Sequence, residues 1–182
     1  MTTTQIYEIA ESYEDRVSKI YFGFADRFIQ VSRLCHFWRE VAFEELVHAA
    51  TVRACSEQGL FCHQEITSER MQAIGDLLQE MEGAASDPAL TPDAAFSIAF
   101  QIESSDIDDA YEILTRKRHI PYSFLQQAAR NGYHDHILRF ARAANEFCEG
   151  TVTAQRFYEW ADKHQDVRSG SSIHPIFDHK TR

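Results

Sequence analysis

The chain has 182 residues, 44% of them apolar and 12% aromatic, which is enough to bury a core and too apolar for a disordered segment. Its 28 acidic residues outweigh 18 basic ones for a net charge of −10, a surface that repels phosphate backbones and excludes nucleic acid as an expected partner. With 7 Gly and 4 Pro spread along it, the chain favours long helices over a many-turned β sandwich.

The N-terminus, MTTTQIYEIAESYEDR, has no basic start, apolar run or cleavage site, so no signal peptide is expected. No stretch approaches the roughly 18 apolar residues of a membrane span. Residues 4–31 read as one long amphipathic helix, with Tyr7, Ala10, Glu14, Val17, Tyr21, Phe24 and Phe28 on one stripe. A break near Ser32 precedes a second helix over residues 35–58, with Trp38, Val41, Glu45, His48, Val52 and Cys55 in register and Gly59 as its stop.

Residues 59–93 differ in character: a shorter helix over 68–81, with Ser68 at its start, is flanked by loops carrying Gly83, Ser86 and Pro88. This reads as a crossover between two helical pairs. Thr91 and Pro92 open a third long helix as N-cap and first residue, with Phe96, Ala99, Glu103, Asp106 or Ile107, Ala110 and Leu114 on its stripe, fading at TRKRH. Pro121 opens a fourth helix running to about Cys148, and Gly150 stops it. Residues 151–164 form a short fifth helix, and the remainder is a tail or a docking segment. The expected organisation is an all-α antiparallel four-helix bundle over residues 1–150, with a helix and tail over 151–182.

The informative charges are those on the core-facing stripes, where an ionised carboxylate is costly unless paired or bound to metal. Glu14, Glu45 and Glu103 each interrupt such a stripe. His48 follows Glu45 by one helical turn, so both project from one face. A lone Glu-x-x-His is usually solvated helix surface. Joined by a further Glu on each of two other helices, it is the ligand grammar of di-iron carboxylate bundles, whose oxygen and imidazole donors suit iron or manganese. Tyr21, Tyr111 and Tyr133 are candidate neighbours, though such residues are more often core aromatics. The tail histidines His164, His174 and His179 are irregularly spaced and read as solvent-facing.

FWREVAFEELVHAA resembles the second helix of rubrerythrin-like proteins, ESYEDRVSKIYFGFA their first, and TPDAAFSIAFQIESSDIDDAYEIL their third. The resemblance covers residues 4–148 and implies a ferritin-like bundle binding a pair of iron ions; a single-metal site holding an ion such as Zn or Mn is the weaker alternative. It implies Glu14, Glu45, His48 and Glu103 as metal ligands and a homodimer. The implied activity is reduction of peroxide or oxygen, or oxidation of ferrous iron.

The fourth helix departs from the family's second Glu-x-x-His, reading QQAARNGYHDHILRF. With His134 as ligand, Asn131 stands in place of Glu; with His136, Tyr133 does. The match of Ala128 to Ala42 and of Phe124 to Trp38 favours His134, while the stripe of Leu125, Ala129, His136 and Phe140 is nearly as apolar. Either way one bridging carboxylate is lost, so the second ion is expected to bind weakly. Asp135 or Asp106 as substitutes read more simply as solvated surface. Cys35, Cys55, Cys62 and Cys148 form no C-x-x-C pair, so no rubredoxin-like iron site is present, and an enzyme of this kind needs an external electron donor. A reduced, cytoplasmic setting is expected. The competing expectation is a degenerate scaffold with one metal or none, serving as an interaction or sensing module.

Overall fold

The computed structural model describes residues 1–60, 66–105, 107, 110, 114 and 133–169, with 133, 134 and 164–169 described by backbone alone. Its elements are α1 (Thr3–Arg27), α2 (Ser32–Glu57), α3 (Ser68–Ala85), α4 (Pro92–Glu103), α5 (Tyr133–Phe147) and α6 (Val152–Ser169). No strand occurs among the described residues, and none of their helices is long and apolar enough to cross a membrane.

Local chemistry sets the helix ends. Thr2 caps α1 in a capping box: its hydroxyl accepts from Gln5 N, while the Gln5 side chain accepts from Thr2 N. The helix stops earlier than its apolar stripe suggests, with Phe28 as C-cap and a tight Val31 N to Phe28 O turn leading into α2. Gly59 closes α2 at φ +64, with Leu60 N donating to Cys55 O and Gly59 N to Ser56 O. That paired closure needs a left-handed residue, which glycine adopts without a Cβ penalty. Thr67, rather than Ser68, caps α3, accepting from Arg70 N, and α3 continues to Ala85, beyond the expected 81. Thr91 accepts from Ala94 N at the head of α4, with Pro92 in the first turn.

The third helix does not run unbroken to TRKRH. It ends at Glu103, and two serines account for the break. The Ser104 and Ser105 hydroxyls donate back to Phe100 O and Ile102 O, both at 2.6 Å, and Ser105 Oγ then accepts from Ile107 N. Side chains that compete for the backbone in this way terminate helices. Ile107, Ala110 and Leu114 beyond the break are helical and buried. The expected start of the fourth helix at Pro121 lies outside the described residues, as do Cys62, Asp106, Tyr111, His174 and His179.

The α1–α2 pair packs tightly enough for the Ser18 hydroxyl to donate to Ala42 O across the interface at 2.9 Å. Helix α3 lies against α1 and α4, α4 touches α5 and α6, and α5 packs on α6 and meets α2. The core is aromatic: Trp38 is enclosed by Tyr21, Phe24, Phe37, Phe96 and Phe140, and Phe140 stacks on Phe157 of α6. Each fully buried Phe or Leu here contributes ~1.5–3 kcal/mol of transfer free energy. Within this apolar mass, a cluster of buried carboxylates and imidazoles lies at the meeting of α1, α2, α4 and α5.

Candidate metal centre

Glu14 (α1), Glu45 (α2) and Glu103 (α4) are 2%, 3% and 3% exposed, so three carboxylates reach the interior from three helices. Each sits on a stripe whose other members are apolar, and the packing that buries the stripe carries the carboxylate inward with it. His48, one turn after Glu45, places Nδ1 2.9 Å from Glu45 Oε2 and 3.7 Å from Glu14 Oε2. His136 of α5, 9% exposed, places Nε2 3.1 Å from Glu103 Oε2 and 3.9 Å from Glu45 Oε1.

Two overlapping triads result, Glu14–Glu45–His48 and Glu45–Glu103–His136, each with its donor atoms within 4.8 Å of one another. Glu45 belongs to both, one oxygen facing each imidazole. Four sequence-derived candidates therefore come together: Glu14, Glu45, His48 and Glu103. The imidazole that joins them from α5 is His136; the side chain of the fifth candidate, His134, lies outside the described residues, as does that of Tyr133. Asp135 is exposed.

Neighbouring groups hold the Glu103–His136 half. The Tyr21 hydroxyl donates to Glu103 Oε1 at 2.5 Å, leaving Oε2 toward the imidazole. On the other side of the ring, His136 Nδ1 lies 2.8 Å from Glu44 Oε2, and Arg139, one turn along α5, pairs with the same carboxylate. A carboxylate on the far nitrogen fixes the ring so that Nε2 faces inward. Neither Glu44 nor Arg139 is singled out by the sequence: Glu44 adjoins Glu45 but points elsewhere on the helix, and its partners lie on α5.

Electrostatics at the cluster follow from burial and proximity. Burial pushes Glu14 up to about 8, more than the nearby His48 lowers it. For Glu45 burial acts in the same direction, but the charge and hydrogen bond of His48, with the charge of His136, outweigh it and hold the carboxyl below its ordinary value. Burial would lower His136, yet the Glu103 charge and the hydrogen bonds of Glu103 and Glu44 raise it to about 10. Glu44 is held at about 2 because its contacts with His136 and Arg139 exceed its burial cost. Burial thus favours the protonated form of Glu14, and the facing carboxylates favour the protonated form of His136.

The donor set fits a divalent cation. Glu14 Oε2 and Glu45 Oε1 are buried without a hydrogen-bond partner among the described residues, one oxygen in each triad. A dry interior makes such oxygens costly, and a cation between carboxylates and imidazoles removes that cost. Hard oxygen donors with nitrogen suit iron, manganese or zinc. Comparisons with protein-family models, curated proteins and solved structures found no match, so the reading of the site rests on its geometry.

Proposed function

We propose that the chain is a ferritin-like, rubrerythrin-related helical bundle that binds a pair of metal ions, iron foremost, with Glu45 as the bridging carboxylate. Glu14 and His48 complete one half of the centre, and Glu103 and His136 the other. The supporting observation is the convergence of three buried carboxylates and two imidazoles from four helices, with one buried oxygen in each half that accepts no hydrogen bond among the described residues. Ferrous ions held there would supply two electrons, reducing hydrogen peroxide to water or dioxygen to peroxide as the ions become ferric; an external donor would return them to the ferrous state in a peroxidase, whereas ferrous oxidation would release them as ferric iron. The chain's own groups hold the donors: Tyr21 orients Glu103, and Glu44 with Arg139 orients His136. Glu14 and His136 carry protons that leave as a cation binds.

A second reading, a scaffold that binds metal without turnover, is favoured by Tyr133, which stands one turn before His136 where a further carboxylate would complete the pair. Elemental analysis of untagged protein, followed by anaerobic ferrous titration and peroxide addition, separates the two. Two irons per chain with turnover supports the redox reading; one ion without turnover supports the scaffold. Metal content unchanged by Glu45→Ala overturns both.

A further inference from the structure

The crossover helix α3 covers one flank of the cluster. Between α1, α3 and the segment after α4 lies a small cavity lined by Ala10, Tyr13, Glu14, Ile74, Ile107 and Ala110. It has room for about one water molecule. Glu14 is the one carboxylate among these residues and belongs to the first triad, so the cavity borders one candidate ligand of the centre. Its remaining walls are short alkyl groups and a phenol ring.

The Tyr13 wall is fixed. Its hydroxyl donates to Met71 O on α3 at 2.7 Å, and it lies 2.7 Å from the point where a Cβ on Gly75 would stand. Gly75 is therefore what lets the ring rest against the α3 backbone. Arg16 and Glu82, paired at 2.7 and 2.9 Å through the guanidinium Nε and Nη2, tie the same two helices one turn further along α1.

We infer that this cavity is the approach by which a small uncharged molecule (water, dioxygen or hydrogen peroxide) reaches the Glu14 side of the centre. Alkyl walls and a diameter near that of one water exclude organic substrates. An anion must shed its hydration to enter, a cost that alkyl walls and a buried carboxyl do not repay. The inference rests on the metal reading and adds the route taken by the small molecules already named for that centre.

The test uses full-length protein loaded with Mn(II) alone, reading water-proton relaxation, which reports exchange between metal-bound and bulk water. Ala10→Val narrows the cavity and Ile74→Ala widens it; neither residue belongs to a triad. With Mn stoichiometry held at the wild-type value, Ala10→Val should remove about half or more of the relaxation enhancement, because the cavity holds about one water. Ile74→Ala should raise it. Wild-type relaxation in either variant that retains Mn shows that solvent reaches the metal elsewhere and overturns the approach while leaving the metal reading intact. Wild-type protein that takes up no Mn, Fe(II) or Zn overturns the metal reading and this inference with it.

Discussion

His136 Nε2 stands 3.1 Å from Glu103 Oε2, joining α5 to the last residue of α4 in the interior. Both groups belong to the triad that also takes in Glu45. His136→Ala should therefore sharply lower metal content, whereas His134→Ala should leave it near wild type. Elemental analysis of both variants decides, and equal loss would place a ligand at each histidine or none at either.

Glu44 touches the ring nitrogen of His136 opposite the cluster. Glu44→Gln keeps the shape but removes the charge that orients the ring and raises its basicity. Metal affinity should fall by about 10–100-fold. A Co(II) titration measures this, and the ligand-field spectrum should shift; an unchanged spectrum and affinity would reduce Glu44 to a surface salt-bridge partner of Arg139.

Tyr21 is fully buried and donates to Glu103 Oε1. Tyr21→Phe removes a buried hydrogen bond to a carboxylate, which costs about 1–3 kcal/mol. Urea unfolding of protein stripped with chelator should show this loss. Bound metal should return part of it by stabilising the carboxylate.

The protonation pattern predicts how stability depends on pH in chelator-stripped protein. Glu14 is raised to about 8 in the folded state, so its contribution is complete below its unfolded value of 4.5 and is lost as pH rises toward 8. His136, raised to about 10, contributes fully below 6.5 and loses that contribution as pH rises through 10. Glu44, held at about 2, acts oppositely: its contribution is present above 4.5 and lost as pH falls toward 2. Thermal unfolding should show greatest stability in the mildly acidic range and a decline on the alkaline side. Metal uptake must displace the Glu14 and His136 protons, so affinity should rise with pH, and calorimetry in buffers of different ionisation enthalpy should register proton release.

Gly75→Ala brings a Cβ to 2.7 Å from the Tyr13 hydroxyl. The ring must move, breaking its hydrogen bond to Met71 O. We expect destabilisation of about 1–3 kcal/mol, as for overpacking at other tight contacts. A double variant with Tyr13→Phe should recover part of it, because the clashing oxygen is then gone.

The inward placement of the carboxylates was legible because helical periodicity is local. Tyr7, Ala10, Val17, Tyr21 and Phe24 define a face by themselves, and Glu14 can only share it. The same holds for Glu45 among Trp38, Val41 and Val52, and for Glu103 among Phe96 and Ala99. Helix ends were legible where a single residue dictates them, as at Gly59 and Thr91–Pro92. The break after Glu103 was harder to see, because serines occupy helix interiors as readily as ends and the outcome depends on which carbonyl each hydroxyl takes.

What the sequence determined by itself is the all-helical character of the described chain and the inward direction of Glu14, Glu45, His48 and Glu103, since propensity and stripe are properties of each segment alone. Only tertiary structure decided that His136 of α5 meets them, that Glu44 and Arg139 stand behind it, and that a cavity lies beside Glu14 against α3. Two nearly equal apolar stripes on one helix leave its rotation undefined until neighbouring helices pack against it. The partners of Glu44 and the walls of the cavity come from segments distant in the chain, brought together only by that packing.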